Sequence, residues 1–278
     1  MLKIKKVKAP VRIDFAGGTT DIEPFASKYK GVVLNAAIDR YIIGELTATN
    51  KKVSLKYQGN IPTSSGLGTS GVMNLVWLAL ISKTKNKPEL AEKVYSLEQA
   101  IGLVGGKQDQ YAAAFGGINF LEFKNKKVKI TRLNLEQEFL KELESKLIIV
   151  YVGEHFSGDA NKSMIEDLDK RNNIQKLLKI KKIAIKMKNS LLKKDLASFA
   201  SLMNQETEVR KTLHHSILTL KMKKIISIAK RNGAIAAKIL GSGNNGSILF
   251  FGDKNQLIKK FKSRAINFKF DLEGLKWL

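Results

Sequence analysis

The sequence of 278 residues carries a formal net charge of +24 at pH 7 and has an apolar fraction that is ordinary for a globular protein. It is long enough for one large domain or two medium ones. The lack of cysteine excludes disulfides, thiolate catalysis and cysteine–zinc sites. Three histidines are too few for a histidine-rich metal site.

Neither a secretory signal nor a membrane span is predicted. The basic N-terminus is not followed by the apolar stretch that a secretory signal needs. The longest apolar run, VMNLVWLALI, has about half the length of a membrane span and predicts a buried helix. A cytoplasmic enzyme without a membrane partner is the resulting expectation.

The positive charge comes mostly from lysine, whereas proteins that read nucleic acids favour arginine forks and interleaved aromatic residues. The densest basic stretch, KLLKIKKIAIKMKNSLLKK, predicts an amphipathic helix with a solvated lysine face. Its apolar residues at helical spacing are Leu177, Ile180, Ile183, Ile185 and Met187. We therefore expect no nucleic-acid partner, and the sequence leaves the oligomeric state open.

The first half of the chain begins with three segments rich in β-forming residues: LKIKKVKAPVRIDF, GVVLNAAIDRYIIGELTAT and KKVSLKYQG. Helices are predicted over about Ser70–Ser82 and from Pro88, a first-turn proline, to Leu103. The segments GGINFLEF and KKVKITRLN then predict a β-hairpin.

The second half begins with a new strand, LIIVYVG, directly after Lys146. Helical segments are predicted from Asn161 to about Asn232. The strands AIAAKILG and SILFFG follow, and a last helix and strand end the chain. Because strands and helices do not alternate strictly, an α+β fold is favoured, with domains at 1–146 and 147–278.

Two loops, GLGTSG at Gly66–Gly71 and GSGNNG at Gly241–Gly246, match the spacing of a dinucleotide-binding fingerprint. That fingerprint needs a strand before the loop, a helix after it and an acidic residue about 20 positions later. The first loop lacks the acidic strand end, and the second is followed by a strand. Neither loop is therefore predicted to bind NAD.

The first loop is better explained as a phosphate cradle, because PTSSGLGTSGVM ends irregular structure and begins a helix. Gly66 and Gly68 let the backbone approach a ligand closely. No lysine follows in the Walker A position. An ordinary capped helix is the alternative. The hydroxyl groups available for phosphate or Mg²⁺ belong to Ser64, Ser65, Thr69 and Ser70.

Two further stretches place polar residues where chemistry is expected. In APVRIDFAGGTTD, Arg12 and Asp14 interrupt an apolar strand that ends in a small, polar turn, which is either a ligand-site edge or a plain turn. In YSLEQAIGLVGGKQDQYAAAFGG, Glu98 lies on a helix and Asp109 follows a glycine turn. Such carboxylates suit metal binding and proton acceptance, although acids on helices are often merely solvated.

Taken together, these stretches resemble the GHMP kinases, the family of galactokinase, homoserine kinase, mevalonate kinase and phosphomevalonate kinase. APVRIDFAGGTTD looks like the first family motif, PTSSGLGTSGVM like the phosphate-binding second motif, and KILGSGNNGSILFF like the third. The resemblance covers nearly the whole chain. Within the family, GGTTD and GGKQDQYAAAFGGINFLEF look most like the branch that phosphorylates the anomeric hydroxyl of a heptose 7-phosphate.

The resemblance implies a two-domain α+β fold, with an N-terminal domain like the second domain of ribosomal protein S5 and a ferredoxin-like C-terminal domain. It also implies that ATP and Mg²⁺ are used and that nucleotide and acceptor meet between the domains. Asp109 would take or orient the proton of the acceptor hydroxyl, and Arg12 would stabilise the transferred phosphoryl group.

The remaining roles also come from the resemblance. The ATP phosphates would be held by Ser64, Ser65, Gly66, Leu67, Gly68, Thr69 and Ser70. Ser70 and Glu98 would bind Mg²⁺. The acceptor would be bound by Gly18, Thr20 and Asp21, with the cleft shaped by Gly241, Ser242 and Gly243.

The third motif contains Asn244 and Asn245 where the family usually has glycine, and asparagine tolerates left-handed backbone. The leading hypothesis is an ATP-dependent kinase of a sugar or sugar phosphate. A kinase of a mevalonate-type or other small acid is the first alternative. A non-catalytic regulator or nucleic-acid-binding protein on the same fold is the second.

Overall fold

Two antiparallel β-sheets organise the computed structural model of this chain, which describes residues 3–62, 64–124, 126–154 and 173–278. In the first sheet the strand order is β10-β1-β2-β4-β5, and β3 pairs with β2. Its strands are β1 (Lys3–Ala16), β2 (Val32–Ala48), β3 (Val53–Gly59), β4 (Ile118–Lys124), β5 (Lys127–Arg132) and β10 (Lys276–Trp277).

Helices follow or connect the strands of the first sheet. They are α1 (Phe25–Tyr29), α2 (Thr69–Ile81), α3 (Lys87–Ala100), α4 (Gln108–Phe115) and α5 (Gln137–Lys146). The second half of β1, from Ala9 to Ala16, is buried throughout, because α2 and α4 pack against this strand. Polar side chains on this half of β1 therefore need partners inside the protein.

The second sheet has the order β7-β8-β6-β9. Its strands are β6 (Leu147–Gly153), β7 (Ala234–Ile239), β8 (Gly246–Gly252) and β9 (Ala265–Ile266). The helices described in this part of the chain are α6 (Asn173–Leu192), α7 (Leu196–Arg210), α8 (Leu220–Lys230) and α9 (Lys254–Phe261). In chain order, strand, helices, two strands, helix and strand give a ferredoxin-like arrangement, as expected.

The amphipathic helix predicted from the lysine-rich stretch is α6. Its apolar face is buried, except that Ile185 is exposed, and its lysines are exposed or half-buried. This helix also packs against β1 and β2 of the first sheet. Lys181 Nζ donates to the carbonyl oxygen of Tyr29 at 2.7 Å, so α6 also bonds the end of α1.

Most predicted elements are present within a few residues of their expected bounds. The helices α1, α4 and α5 and the strand β10 were not predicted. The predicted helical segment from Asn161 to residue 172 lies outside the described residues. Within the described ranges, none of the helices combines the length and apolarity that a membrane crossing requires.

The C-terminal segment returns to the first sheet. Phe270 forms a bridge with Ile38, and β10 pairs with β1 at Val7 and Lys8. The second sheet itself begins at Leu147, directly after α5. We propose the division into 1–146 and 147–278 for the two domains, with residues 270–278 completing the sheet of the first.

Candidate active site

The side chain of Arg12 joins the end of β1 to two other segments. Its Nε donates to Oδ1 of Asp109 at 2.7 Å, and its Nη1 donates to the carbonyl oxygen of Gly66 at 2.8 Å. Arg12 is buried, whereas the side chain of Asp109 is 26% exposed. The guanidinium therefore holds the start of α4 against the first glycine loop and leaves part of the Asp109 carboxylate accessible.

The N-terminus of α2 lies directly beside Asp109. Gly68, the N-cap residue, has φ +76°, and a Cβ atom on it would lie 2.9 Å from Cγ of Asp109. No side chain of the described residues caps this helix, so its first N–H groups keep their capacity to bind an anion. An uncapped helix start with its positive dipole end suits a phosphate, and here it lies beside Asp109.

The side chains of the first glycine loop differ in how exposed they are to solvent. Ser64 and Ser70 are exposed. Oγ of Ser65 and Oγ1 of Thr69 are buried and have no hydrogen-bond partner among the described residues. The side chain of Leu67 is buried in the core, and its carbonyl oxygen accepts a backbone N–H of β1 at 3.2 Å. Only the backbone N–H of Leu67 is therefore available to a ligand.

Glu98 lies where α2, α3 and α4 meet. Its Oε1 accepts from Nδ2 of Asn74 at 2.8 Å and its Oε2 from Nε2 of Gln110 at 2.5 Å. Burial raises the pKa of Glu98, and the charge of Asp109 adds to the effect, while the two amides oppose it. Each carboxylate oxygen retains a second lone pair, so Glu98 could still accept a metal ion.

Asp21 is buried beside Gln108, the residue before Asp109. Its Oδ2 accepts the backbone N–H of Gln108 at 3.1 Å, and a Cβ on Gly106 would collide with it. Burial raises the pKa of Asp21 to about 7. The N–H of Gln108 opposes this rise, and the negative charge of Asp109 adds to it. Oδ1 of Asp21 has no donor among the described residues.

Two predicted acceptor residues have other contacts in the structure. The Thr20 hydroxyl is fully buried between the carbonyl oxygens of Gly17 and Val32, each at 2.7 Å, and it also accepts the Val32 N–H at 3.0 Å. Gly18 packs against the Asp14 carboxylate. The hydroxyl of Thr20 therefore holds the turn, and a role of Thr20 in binding the acceptor stays a prediction.

The second glycine loop is the turn between β7 and β8, which are antiparallel as the sequence predicts. A Cβ on Gly241 would lie 3.0 Å from the carbonyl oxygen of Gly66, so the two glycine loops touch backbone to backbone. Ser242 is buried, and Gly243 packs on Ile217 instead of facing the first loop. Asn244 and Asn245 adopt φ values of 52° and 73°, the left-handed backbone that asparagine tolerates.

Four charged residues form a cluster next to the Gly17–Asp21 turn, here called the buried quartet: Asp14, Glu206, Arg210 and Lys238. Each is at most 1% exposed. Lys238 Nζ lies 3.4 Å from Asp14 and 3.3 Å from Glu206, and Arg210 Nε donates to Glu206 at 2.8 Å. Two negative and two positive charges balance one another, which burial requires.

The charges of the buried quartet depend on one another. Burial alone would raise the pKa of Asp14, but Lys238, Arg210 and Arg12 outweigh burial and hold it below its ordinary value. Burial lowers the pKa of Lys238, with Arg210 adding to the effect. Removing one member would thus leave an uncompensated charge in the interior.

Sequence reasoning missed several residues that support the site. Gln108 and Gln110 flank Asp109 in the quoted GGKQDQ stretch, and they hold Asp21 and Glu98. Lys238 lies just before the second glycine loop, and this position in a predicted motif was a reason to consider it part of the site. Arg210 gave none, because its contacts with the turn are more than 190 residues away in sequence.

A separate cavity of about 420 Å³ lies between α7, α8 and β7, away from Asp109. In the described residues, no group of three or more His, Asp or Glu side chains could hold a metal ion by itself. Among the residues that the structure describes, the predicted site residues converge at the uncapped start of α2, the Arg12–Asp109 pair and the carboxylates of Asp21 and Glu98.

Two family profiles match the chain. They are described as GHMP kinases N terminal domain, over residues 32–117, and GHMP kinases C terminal, over residues 187–268. Together they match more than half of the sequence. The chain belongs to the GHMP kinase family. As a GHMP kinase it is an enzyme that transfers a phosphoryl group.

Similar proteins extend over the whole length of this GHMP kinase. It is 28% identical to the D-glycero-alpha-D-manno-heptose 7-phosphate kinase of Campylobacter jejuni, over 99% of both chains. Its fold matches a structure titled D-glycero-D-manno-heptose 1-phosphate kinase from Bacteriodes thetaiotaomicron with a TM-score of 0.78 and 25% identity, over 99% of both chains. The galactokinase of Lactococcus lactis, 15% identical, shares the fold with a TM-score of 0.69, over 99% of this chain and 95% of its own.

Proposed function

We propose that this GHMP kinase transfers the γ-phosphoryl group of ATP to a hydroxyl of a sugar or sugar phosphate, with the anomeric hydroxyl of a heptose 7-phosphate-like acceptor as the favoured case. The observation that carries the proposal is the Arg12–Asp109 pair at 2.7 Å beside the uncapped start of α2. The names of the similar heptose phosphate kinases support the acceptor class.

The first glycine loop and the start of α2 would bind the nucleotide phosphates. The free N–H groups at the helix start supply several hydrogen bonds without side-chain entropy, and the helix dipole favours negative charge. Arg12 adds a fixed positive charge that also bonds Asp109. Phosphoryl transfer depends chiefly on such alignment and charge stabilisation.

Ser70 and Glu98 would hold Mg²⁺ together with the nucleotide. Their hydroxyl and carboxylate oxygens are the ligands that Mg²⁺ prefers, and Mg²⁺ in kinases is often held by one or two carboxylates plus phosphate oxygens. Glu98 fits this role because Asn74 and Gln110 fix its orientation and leave lone pairs free. The ion would neutralise phosphate charge.

Asp109 would accept the proton of the attacking hydroxyl or orient that hydroxyl. Its carboxylate is partly accessible and lies beside the helix start that would carry the phosphates. Asp21 would bind neighbouring hydroxyls, since its Oδ1 lacks a donor among the described residues and a polyol brings donors. The two carboxyls together favour an acceptor with several hydroxyls.

The test is ADP release from Mg·ATP over a panel of acceptors. The panel contains free hexoses, heptose, heptose 7-phosphate, mevalonate and its phosphates, homoserine and inositol. Wild type is compared with Asp109→Asn, for which we expect kcat to fall about 10²- to 10⁴-fold. Asp195→Asn is the matched control, because Asp195 caps α7 on the outside of the protein and asparagine caps equally well.

Each outcome discriminates between the alternatives. Turnover of a sugar or sugar phosphate that Asp109→Asn abolishes and Asp195→Asn preserves supports the proposal. Turnover only of mevalonate or another acid replaces the acceptor class but keeps the mechanism. Normal turnover by Asp109→Asn removes Asp109 from the proton step. If wild type phosphorylates no acceptor, duplex DNA binding measured at two salt concentrations tests the non-catalytic alternative.

A further inference from the structure

An arginine of the second domain holds the turn that carries Asp21. Nη2 of Arg210, at the end of α7, donates to the carbonyl oxygen of Gly18 at 2.8 Å. Its Nη1 donates to Oγ1 of Thr19 at 3.3 Å. Both contacts are buried and join the two halves of the chain at one point of the predicted site.

A bond within α7 orients the guanidinium of Arg210 toward the turn. Glu206 lies one helical turn earlier on α7 and accepts from Nε of Arg210 at 2.8 Å. The planar fork of arginine then presents its outer N–H groups in a fixed direction. A lysine at this position would keep the charge but lose the fork.

The turn has a conformation that it would not adopt on its own. Thr19 has φ +76°, a left-handed value that is strongly disfavoured for a β-branched residue. Such a backbone persists only where the surrounding contacts over-determine it. Arg210 bonds the hydroxyl of this same residue and the carbonyl of the residue before it.

The other end of the turn is fixed in the first domain. Oδ2 of Asp21 accepts the N–H of Gln108, the residue before Asp109. The turn is therefore held between Arg210 on one side and α4 on the other. Without the Arg210 bonds, Gly18 and Thr19 would no longer be held by the second domain. Asp21 would then lose its fixed position.

We propose that Arg210 is a positioning residue for acceptor binding, which fixes the Gly17–Asp21 turn through Gly18 and Thr19 and thereby sets Asp21 beside Asp109. The inference rests on the proposed function, in which Asp21 binds the acceptor. It makes the affinity for the acceptor depend on a side chain of the second domain.

Four variants test the proposal. Thr19→Val removes the hydroxyl but keeps the shape and the buried quartet, whereas Thr19→Ser keeps the hydroxyl. Arg210→Lys keeps the charge. Thr207→Val is the matched control, because Thr207 is also buried and its hydroxyl bonds a carbonyl, that of Ala237 at 2.8 Å, outside the turn. If Arg210→Lys does not fold, Thr19→Val alone decides.

The first measurement is amide hydrogen exchange of a peptide covering residues 16–23, which contains the Thr20 and Ile22 N–H bonds of the turn. We expect exchange to be about tenfold faster in Thr19→Val and Arg210→Lys. Thr19→Ser and Thr207→Val should exchange like wild type. Unchanged exchange in Thr19→Val overturns the proposal, and this readout does not require that the acceptor be known.

The second measurement is kinetic, with the acceptor that the panel identifies. We expect the acceptor KM to rise about tenfold in Thr19→Val and Arg210→Lys, with kcat and the ATP KM nearly unchanged. The double variant should be no worse than Arg210→Lys alone, because Arg210→Lys already removes the bond to the Thr19 hydroxyl that Thr19→Val removes. Additive effects, or equal rises in both KM values, contradict the proposal and leave the proposed function intact. A wild type without sugar turnover contradicts the proposed function.

Discussion

Asp21 is a carboxyl group that burial makes difficult to ionise. Its pKa of about 7 lies well above the value near 3.8 expected in the unfolded chain. Between these two values the folded protein binds a proton at Asp21 that the unfolded chain has released. The stability that Asp21 contributes is therefore lost as the pH rises from about 4 to about 7.

We expect Asp21→Asn to gain stability relative to wild type as the pH rises. Asparagine does not titrate, so the difference in free energy of unfolding should shift in favour of the variant by up to about 3 kcal/mol between pH 5 and pH 8. Urea unfolding at several pH values measures this difference.

The control for this prediction is Asp195→Asn. Bonds from Ser198 lower the pKa of Asp195, so this exposed carboxyl is ionised in both the folded and unfolded states above pH 5. The difference in free energy of unfolding between Asp195→Asn and wild type should stay constant between pH 5 and pH 8. If the free energy of unfolding changed with pH equally in wild type and Asp21→Asn, Asp21 would be ionised at neutral pH, against the prediction.

At this scale, sequence reasoning predicted which side chains lie close together but not all of their partners. Arg12, Glu98 and Asp109 come together as the motifs predict. The sequence did not predict that the Thr20 hydroxyl bonds the backbone of its own turn, as buried side chains in a tight turn often do. Arg210 could not be found, since no local pattern records a contact between residues so distant in sequence.

At the scale of helices, the site depends on how closely the start of α2 approaches the start of α4. Gly68 and Gly71 of α2 both face Asp109, and Cβ atoms on them would lie 2.9 and 3.1 Å from its side chain. The two helix starts can therefore lie this close together because Gly68 and Gly71 have no side chains.

We expect Gly68→Ala to lower kcat about 100-fold, because a displacement of about 1 Å at a reacting group has an effect of this size. The added methyl group must push Asp109 from its place beside Arg12. The variant should also lose about 1 kcal/mol of stability from its left-handed backbone. Steady-state kinetics and thermal unfolding measure both effects.

Gly102→Ala separates these two effects. Gly102 has φ +79°, nearly the value of Gly68, but a Cβ on it would meet nothing within 4 Å. It should share the loss of stability and keep wild-type turnover. Equal turnover in the two variants would mean that the contact with Asp109 has no catalytic importance.

The helices that sequence analysis missed had weak or overlooked signals. α4 has no side-chain cap and lies between glycine pairs, so its sequence favours a loop. α5 has Phe139 and Leu143 at helical spacing on its buried face, a signal that was present but overlooked. The β7–β8 turn was predicted correctly, because strands flank the glycines on both sides.

At the scale of the whole molecule, the C-terminal segment completes the first sheet. β10 pairs with β1, and Nε1 of Trp277 donates to the carbonyl oxygen of Ala79 in α2 at 3.3 Å. Leu275 is buried. No periodicity predicts a two-residue strand, whereas the beginning of the second sheet after Lys146 could be predicted from its long apolar run.

We expect deletion of residues 275–278 to lower the melting temperature by about 10 °C. The deletion removes a buried leucine and a partly buried tryptophan, a loss of roughly 4 kcal/mol, and each kcal/mol corresponds to about 2–4 °C at this size. Leu278→Ser is the control, because this side chain is 62% exposed and should leave the melting temperature unchanged. An unaltered melting temperature in the deletion would mean that the first sheet is stable without β10.

The position of β10 also sets an order of events during synthesis. At typical translation rates of about 5–20 residues per second, roughly 6 to 26 s pass between the emergence of α5 and that of β10. Throughout this interval β1 is long, apolar at Val7, and unpaired along the edge that β10 will cover. Until β10 is in place, a nascent chain with such an edge can pair with a neighbouring chain.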